Sequence, residues 1–397
     1  MTLLALTAGS VLTFLPLARA EDAPSPLGSI LNLFKMAPVE FPAEQYDGWQ
    51  FVYGRFVFRP AMYIFEGVML SFVLVYVFNY FYASWSNERR AEKWVDAHQE
   101  FLATQFSKPG QKTSLLTDGP DSFLFSTGRR NVQSLHTVFT FLPRQDLFQL
   151  LFTYGWTLYD LRYNPTDDVT LDFKLGNVNA APAGNGPPMV WAIVDKDELN
   201  TIKSGRWDLT IAKTQDNPTV PKECVVMSEV ADISDSILKN NAATPLLAAL
   251  KDPKIIKHFK SLSITDLPLA RPLGPIREKE RHVILSLKLP SSSSEFANLT
   301  PLIKAVFGLI DWVEGGKFNL RPETLKKLKT AREELEKDLI KDVTEEKVKE
   351  ADESKRAAKR RAEEERIAKL SAEQQRKAME KEKKRAMRKG TTKVRLG

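Results

Sequence analysis

The stretch Ala61 to Ala83, AMYIFEGVMLSFVLVYVFNYFYA, constrains this chain more than any other segment. As a helix its 23 residues extend about 34 Å, enough to cross the hydrocarbon of a bilayer with some tilt. The 17 residues from Gly67 to Ala83 carry no charge, which argues against a helix of a soluble core. Tyr63 at one end, and Tyr82 with Trp85 at the other, are the amphipathic aromatics that settle at membrane interfaces. Glu66 lies in the first turns of the stretch, within reach of headgroups. Other apolar runs are too short to cross: Gln149 to Tyr159 sits between Asp146 and Asp160, and Ala305 to Ile310 is shorter still. The patterning predicts one membrane span.

Met1 to Ala20 supplies the orientation. It has an apolar core from Val11 to Leu17 and ends in Ala18-Arg19-Ala20, the small-x-small pattern of a signal-peptidase site. A secretory signal over 1–20 places 21–60 in a lumen and everything after the span in the cytosol. Arg89, Arg90 and Lys93 after the span outnumber Arg55 and Arg59 before it, in the same sense. The single cysteine, Cys224, suits a reducing compartment. The one sequon, Asn298-Leu299-Thr300, is expected to stay unglycosylated under this topology. The luminal piece contains prolines at 24, 26, 38, 42 and 60 and is too short to bury a core.

Residues 87–316 are long enough for one sizeable domain. Helices are expected at Glu88 to Phe106, with Trp94, Ala97, Phe101 and Leu102 on one side, at Asn131 to Phe141, and at Gln145 to Leu161. Further helices are expected at Asp195 to Ser204, Ile233 to Asn240, Pro245 to Leu250, Lys254 to Leu262, and from a Ser291–Ser294 cap to Val313. Strands are expected at Ser122 to Thr127, Val169 to Phe173, Val190 to Val194, Asp208 to Ala212, Glu223 to Met227 and His282 to Leu289. Gly176 to Pro188 reads as a loop. Strands and helices intersperse without a βαβ period, so the expected fold class is an α+β cytosolic domain with one transmembrane helix and a long charged C-terminal extension.

That extension carries the chain's charge excess. Residues 321–397 hold 26 Lys/Arg against 17 Asp/Glu, while the remainder of the chain is nearly balanced. No Pro or Gly occurs between Pro322 and Lys389, so 321–389 is expected as a charged, coiled-coil-like helix. Acids precede bases by four residues at Glu333/Lys337, Glu345/Lys349 and Glu365/Lys369. Apolar positions are too sparse for a sustained heptad seam, so the first third is expected to pack on the domain and the remainder to be solvated. The end is one-signed: Arg376, Lys377, Lys381, Lys383, Lys384, Arg385, Arg388, Lys389, Lys393 and Arg395 face only two acids. Residues 390–397 form a basic arm. Such a run seeks a polyanion, and on a cytosolic membrane face the candidates are anionic lipid and ribosomal RNA. The run lacks large apolar residues for lipid insertion and aromatics for base stacking, which leaves backbone phosphate as its target.

Motifs for catalysis are missing. The chain has no P-loop, glycine fingerprint, HExxH or CxxC, and its histidines (His98, His136, His258, His282) are scattered. His136 reads as a core or interface residue, and Cys224 beside Val225 and Val226 as a small hydrophobe. Asp167-Asp168 reads as a turn and Asp232/Asp235 as a helix cap, neither needing a metal. A non-enzymatic protein without cofactor or metal is expected. A cytosolic enzyme survives as an alternative only through the unassigned domain.

Three strings are more specific than any motif: SFLFSTGRRNVQSLHTVFTFLPRQDL (Ser122 to Leu147), the following YDLRYNP, and EEERIAKLSAEQQRKAMEKEKKRAMRK near the C-terminus. Through them, and through the order of its segments, the chain resembles the calumin family, coiled-coil-domain subunits of the endoplasmic reticulum PAT complex. The resemblance implies an intramembrane chaperone role at the ribosome-bound Sec translocon. It also implies an Asterix-like small membrane partner, nascent multipass proteins as clients, and ribosome contact through the C-terminal helix. Animal members carry a long acidic luminal segment. This chain has only Glu21, Asp22, Glu40, Glu44 and Asp47 there, so a calcium role is not carried over and the chain is similar to a short-lumen, fungal-type member. The alternative is a single-pass tether that binds anionic lipid or another cytosolic partner.

Overall fold

The computed structural model describes residues 48–160, 163–177, 187–276, 280–315, 318 and 320–368. The chain divides at Tyr82/Ala83 into two units. In the first, β1 (Phe51–Tyr53) and β2 (Phe56–Phe58) form an antiparallel hairpin around Gly54, whose φ of 61° a side chain would resist. A single turn, Pro60–Tyr63, leads into α1 (Ile64–Gln105), and Phe58 stacks on Tyr63 at 5.5 Å. The hairpin residues and the side chains of α1 through Tyr82 are almost all exposed apolar groups.

The second unit is built on one antiparallel sheet. Its strands are β3 (Leu116–Asp118), β4 (Asp121–Arg129), β5 (Val132–Thr140), β6 (Asp168–Asn177), β7 (Trp191–Asp195), β8 (Lys213–Gln215), β9 (Cys224–Ser228), β10 (Phe259–Thr265) and β11 (Glu280–Lys288). Their spatial order is β3-β4-β5-β6-β11-β10-β7-β9-β8. The outer helices are α2 (Leu147–Tyr159), α3 (Leu199–Gly205), α4 (Ala231–Leu238), α5 (Thr244–Leu250), α6 (Pro253–Ile256), α7 (Thr300–Glu314) and α8 (Pro322–Ala368). The expected α+β class stands.

One face of the sheet packs against α7 and the end of α1. Ala91, Trp94, Val95, His98 and Leu102 of α1 are buried at helical spacing. This stripe differs slightly from the expected one: His98 turns inward and Ala97 outward. Trp94 meets Phe139 edge-on at 5.3 Å and stacks on His98 at 4.3 Å. Burial holds the His98 pKa below its ordinary value. Phe307 of α7 is ringed by Phe101, Phe106 and Phe173, with the Arg129 guanidinium 4.7 Å from its centroid. At the β7–β9 end the opposite face is also covered, by Leu199 and Ile202 of α3, Trp207, and Leu335 of α8.

Three expected elements are corrected. Asn131 to Phe141 is strand β5, not a helix. Leu135, Thr137 and Phe139 point inward with a period of two, and the β4–β5 hairpin fixes that register. Asn131 takes φ 67° at the turn, and at Gly128, φ 90°, a Cβ would lie 1.8 Å from Ser107 Oγ. Lys254 to Leu262 breaks into the single turn of α6 and then β10, whose Phe259, Leu262 and Ile264 are buried in the sheet. Asp208 to Ala212 is not a strand: Asp208–Thr210 is a 3-10 turn, set by the Arg206–Asp208 pair at 2.6 Å. Cys224 is buried as expected, and burial pushes its thiol up to about 12.

Candidate functional site

Two places in the second unit hold long helices to the domain, one built on a buried carboxylate with partly exposed arginines and the other on a buried ionic triad. The first follows the apolar stretch directly. Asn87 and Arg90 occupy the early turns of α1 in this unit. Asp167, just before β6, accepts Arg90 Nη1 at 2.5 Å and both Arg144 nitrogens at 2.9 and 2.8 Å. The Leu142 N–H donates to the same carboxylate at 3.0 Å, and Arg144 Nη1 donates to Asn87 Oδ1 at 3.1 Å. The Asp167 side chain is 7% exposed, so the attraction acts in low dielectric. The clamp fixes the segment that enters α2, whose first N–H groups are capped by Asp146 through Phe148 and Gln149.

Beside the clamp lies a cleft of about 300 Å³ lined by Trp85, Arg89, Arg90 and Lys93 of α1 with Ser291 and Phe296. Arg89 sits 4.7 Å over the Trp85 ring. The cleft is cationic, aromatic and open, and it begins two residues past Ala83.

The second place is the root of α8. Buried positions recur at Thr324, Leu328, Arg332 and Leu339, and beyond Val343 the described side chains of the helix are exposed. Arg332 donates from Nε and Nη2 to Asp266 at 3.1 and 2.6 Å, and from Nη2 to Glu229 at 2.5 Å. Burial alone would lower the Arg332 pKa, but the bonds and charges of Asp266 and Glu229 raise it. Burial raises the Glu229 carboxyl, and Arg332 offsets this only in part. Thr324 donates to Asp232 at 2.7 Å, and Arg271 pairs with Asp342. Asp232 therefore serves the extension and does not cap α4, whose N-cap is Val230.

Glu66 lies in the first turn of α1 and is exposed. The basic residues Arg376 to Arg395 lie outside the described residues. Among the described residues no cluster of His, Cys, Asp and Glu is arranged to hold a metal. Asp168 is engaged by Lys260 at 2.6 Å and by Thr166 at 2.8 Å. The sequence reading missed the Arg90–Asp167–Arg144 clamp and the Arg332 triad, because their partners are separated by 23 to 103 positions. The apolar run of α2 is too short to cross a membrane, and spacing alone does not show that it stays exposed.

With this arrangement in hand, comparison with known proteins is decisive. The family described as PAT complex subunit CCDC47 matches residues 62–389, from inside the apolar stretch to the end of the charged extension. The chain belongs to that family. Among its relatives, a UPF0674 endoplasmic reticulum membrane protein of Schizosaccharomyces pombe is 28% identical over 345 residues, covering 83% of this chain and 86% of that protein. The human PAT complex subunit CCDC47 is 24% identical over 371 residues, covering 85% of this chain and 68% of the human protein. Two stretches of the described residues are long and apolar enough to cross a membrane, Ile64–Gln105 and Ser294–Glu314. The second is a core element, with Leu302, Val306, Leu309 and Ile310 buried. No residue in the most apolar part of the first is buried.

Proposed function

We propose that this protein is a non-catalytic subunit of a PAT-type complex in the endoplasmic reticulum membrane, assisting the biogenesis of multipass membrane proteins. The observation that carries this reading is the family match over 62–389. In this reading 1–20 is a cleaved signal, 21–60 is luminal, 61–83 spans the membrane once, and 87–316 is a cytosolic domain. Residues 321–389 form the extension and 390–397 its basic arm. The span pairs with an Asterix-like small membrane protein and shields polar helices of nascent multipass chains, and Glu66 is a polar residue within it. The domain and extension meet the Sec translocon, and Arg376 to Arg395 contact ribosomal RNA. The docked root of α8 supports this division, because it fixes where the extension leaves the domain and leaves the described side chains beyond Val343 exposed.

The test is co-sedimentation of detergent-solubilised full-length chain with ribosomes across a salt series. Binding is expected to fall log-linearly with salt, and removal of 376–397 to abolish it. Sedimentation unchanged by that removal at every salt concentration refutes the role of the arm. The cationic cleft at Trp85, Arg89 and Lys93 favours a second reading, a tether for anionic lipid. Binding to phosphatidylserine vesicles that persists after nuclease treatment and ribosome removal selects it.

A further inference from the structure

The least explained element of the second unit is α2. Its sequence is LFQLLFTYGWTLY, without a charge, and it buries no residue. Phe148, Leu151, Leu158 and Tyr159 are each 77% to 84% exposed, and Phe152, Tyr154 and Trp156 are about half exposed or more. These positions wrap a broad arc of the helix. The least exposed stripe, turned toward the domain, is Leu150, Thr153 and Thr157. The helix is thus inverted relative to a core helix, with its smaller and more polar side inward and its large apolar side outward. At about 150 to 250 Å² for a large side chain, the exposed apolar surface is on the order of 1,000 Å², beyond the largest patch of an ordinary soluble monomer.

Three observations choose the occupant of this surface. The first is polar satisfaction. The Thr153 and Thr157 hydroxyls donate to carbonyls of their own helix, Gln149 O at 2.8 Å and Tyr154 O at 2.6 Å. Asp146 caps the first amides, and the Asp160 N–H closes on Trp156 O at 2.9 Å. A helix in lipid needs this internal bonding, whereas a helix in a protein groove can share its groups with a partner. The second is composition. Tyr154, Trp156 and Tyr159 gather in the last turns, and such amphipathic rings sit at headgroup depth. The third is position. The segment entering α2 is clamped through Arg144 and Leu142 to Asn87 and Asp167. Asn87 follows Ala83 by four residues, about 6 Å of helix. The adjacent cleft offers Arg89 and Lys93, cations that α2 itself lacks.

We infer that α2 lies in the membrane interface as a second, non-spanning membrane contact, its Phe148–Leu151–Leu158 surface in the acyl region and Arg89 and Lys93 at the phosphates beside it. The inference rests on the reading that 61–83 spans a bilayer, and the test keeps the two apart. Cys224 is buried, so single cysteines introduced by V73C, L151C, L158C and K222C can carry a spin label selectively. The full-length chain is reconstituted into phosphatidylcholine vesicles, and collision with oxygen is compared with collision with a water-soluble nickel complex. Labels at 73, 151 and 158 are expected to collide more with oxygen, and the label at the exposed Lys222 position more with nickel. A lipid-exposed label at 73 with water-exposed labels at 151 and 158 overturns the inference and leaves the span intact. A water-exposed label at 73 removes the span reading itself. Labels at 151 and 158 that are wet in vesicles but shielded in native microsomes assign α2 to a protein partner and likewise overturn the inference. The side chains replaced at 151 and 158 are largely exposed, so these variants keep the native thermal midpoint.

Discussion

Replacing Arg332 by Met tests how the extension is held. Three groups meet there at 7%, 5% and 1% side-chain exposure: Arg332, Glu229 and Asp266. Removing one partner of a buried ionic contact costs about 3–5 kcal/mol, because the partners stay behind uncompensated. Glu229 is already raised by burial and takes up a proton readily once its cation is gone, which moves the cost toward the lower end. About 3 kcal/mol is comparable to the burial of Leu328 and Leu339, the main apolar contribution of the root, at about 1.5–3 kcal/mol each. R332M is therefore expected to raise local opening of 324–343 by roughly two decades while the sheet stays folded. Hydrogen exchange of the full chain in detergent reads this directly, as loss of protection in 324–343 beside unchanged protection in β6 and β11. The triple variant R332M/E229Q/D266N is expected to recover much of the loss, since it leaves no unpaired charge. Native protection of 324–343 in R332M would show that leucine packing alone holds the root.

Three further outcomes are expected. Burial lowers the His282 pKa, but the Asp172 bond at 2.7 Å and the Glu280 charge outweigh it and the net shift is upward. Stability from this group is then full below the ordinary value of 6.5 and is lost as pH rises through the folded value; the excess of the wild-type denaturation midpoint over that of H282Q should therefore shrink with rising pH. D167N removes a charge that accepts four hydrogen bonds, and should cost about 2–3 kcal/mol in denaturant unfolding. Asn298 is expected to show no glycosidase-sensitive mass shift in microsomes, and a glycan there refutes a cytosolic domain.

The parts of the fold legible in the sequence are those written in local periodicity. Trp94, Phe101 and Leu102 of the α1 stripe, the strands at Val169 and Cys224, and α7 all follow from spacing within one element. Asn131 to Phe141 was misread because Val132, Leu135, Val138 and Phe139 also fit a helical face. Only pairing across the Gly128–Asn131 turn decides for a strand. Lys254 to Leu262 failed for a related reason, since one turn of helix ends where a long-range partner, β11, takes over the backbone bonds. At the candidate site, charge signs were visible but partners were not. Asp167 looked like a turn residue until the fold brought Arg90 and Arg144 to it. The exposure of α2 was also hidden, because a short apolar run reads equally as core or surface until its neighbours are known.

The Arg332 triad, and the buried Asp167 carboxylate with its partly exposed arginines, raise the question of why a fold should bury charge at all. A hydrophobic triad in place of Arg332, Glu229 and Asp266 would be about as stable, since desolvation cancels most of the Coulomb gain. The difference is specificity. The described part of α8 has few apolar residues, and Leu328, Leu335 and Leu339 could dock with the helix slid or rotated at small cost. A guanidinium fork bonded to two carboxylates admits one register. The same reasoning holds where α1 meets the domain: Arg144 grips Asp167 bidentately and Arg90 completes the contact, so the loop entering α2 is held in one orientation. Each clamp stands where a long helix joins the sheet domain, at residues where apolar packing alone would leave the direction of that helix poorly determined.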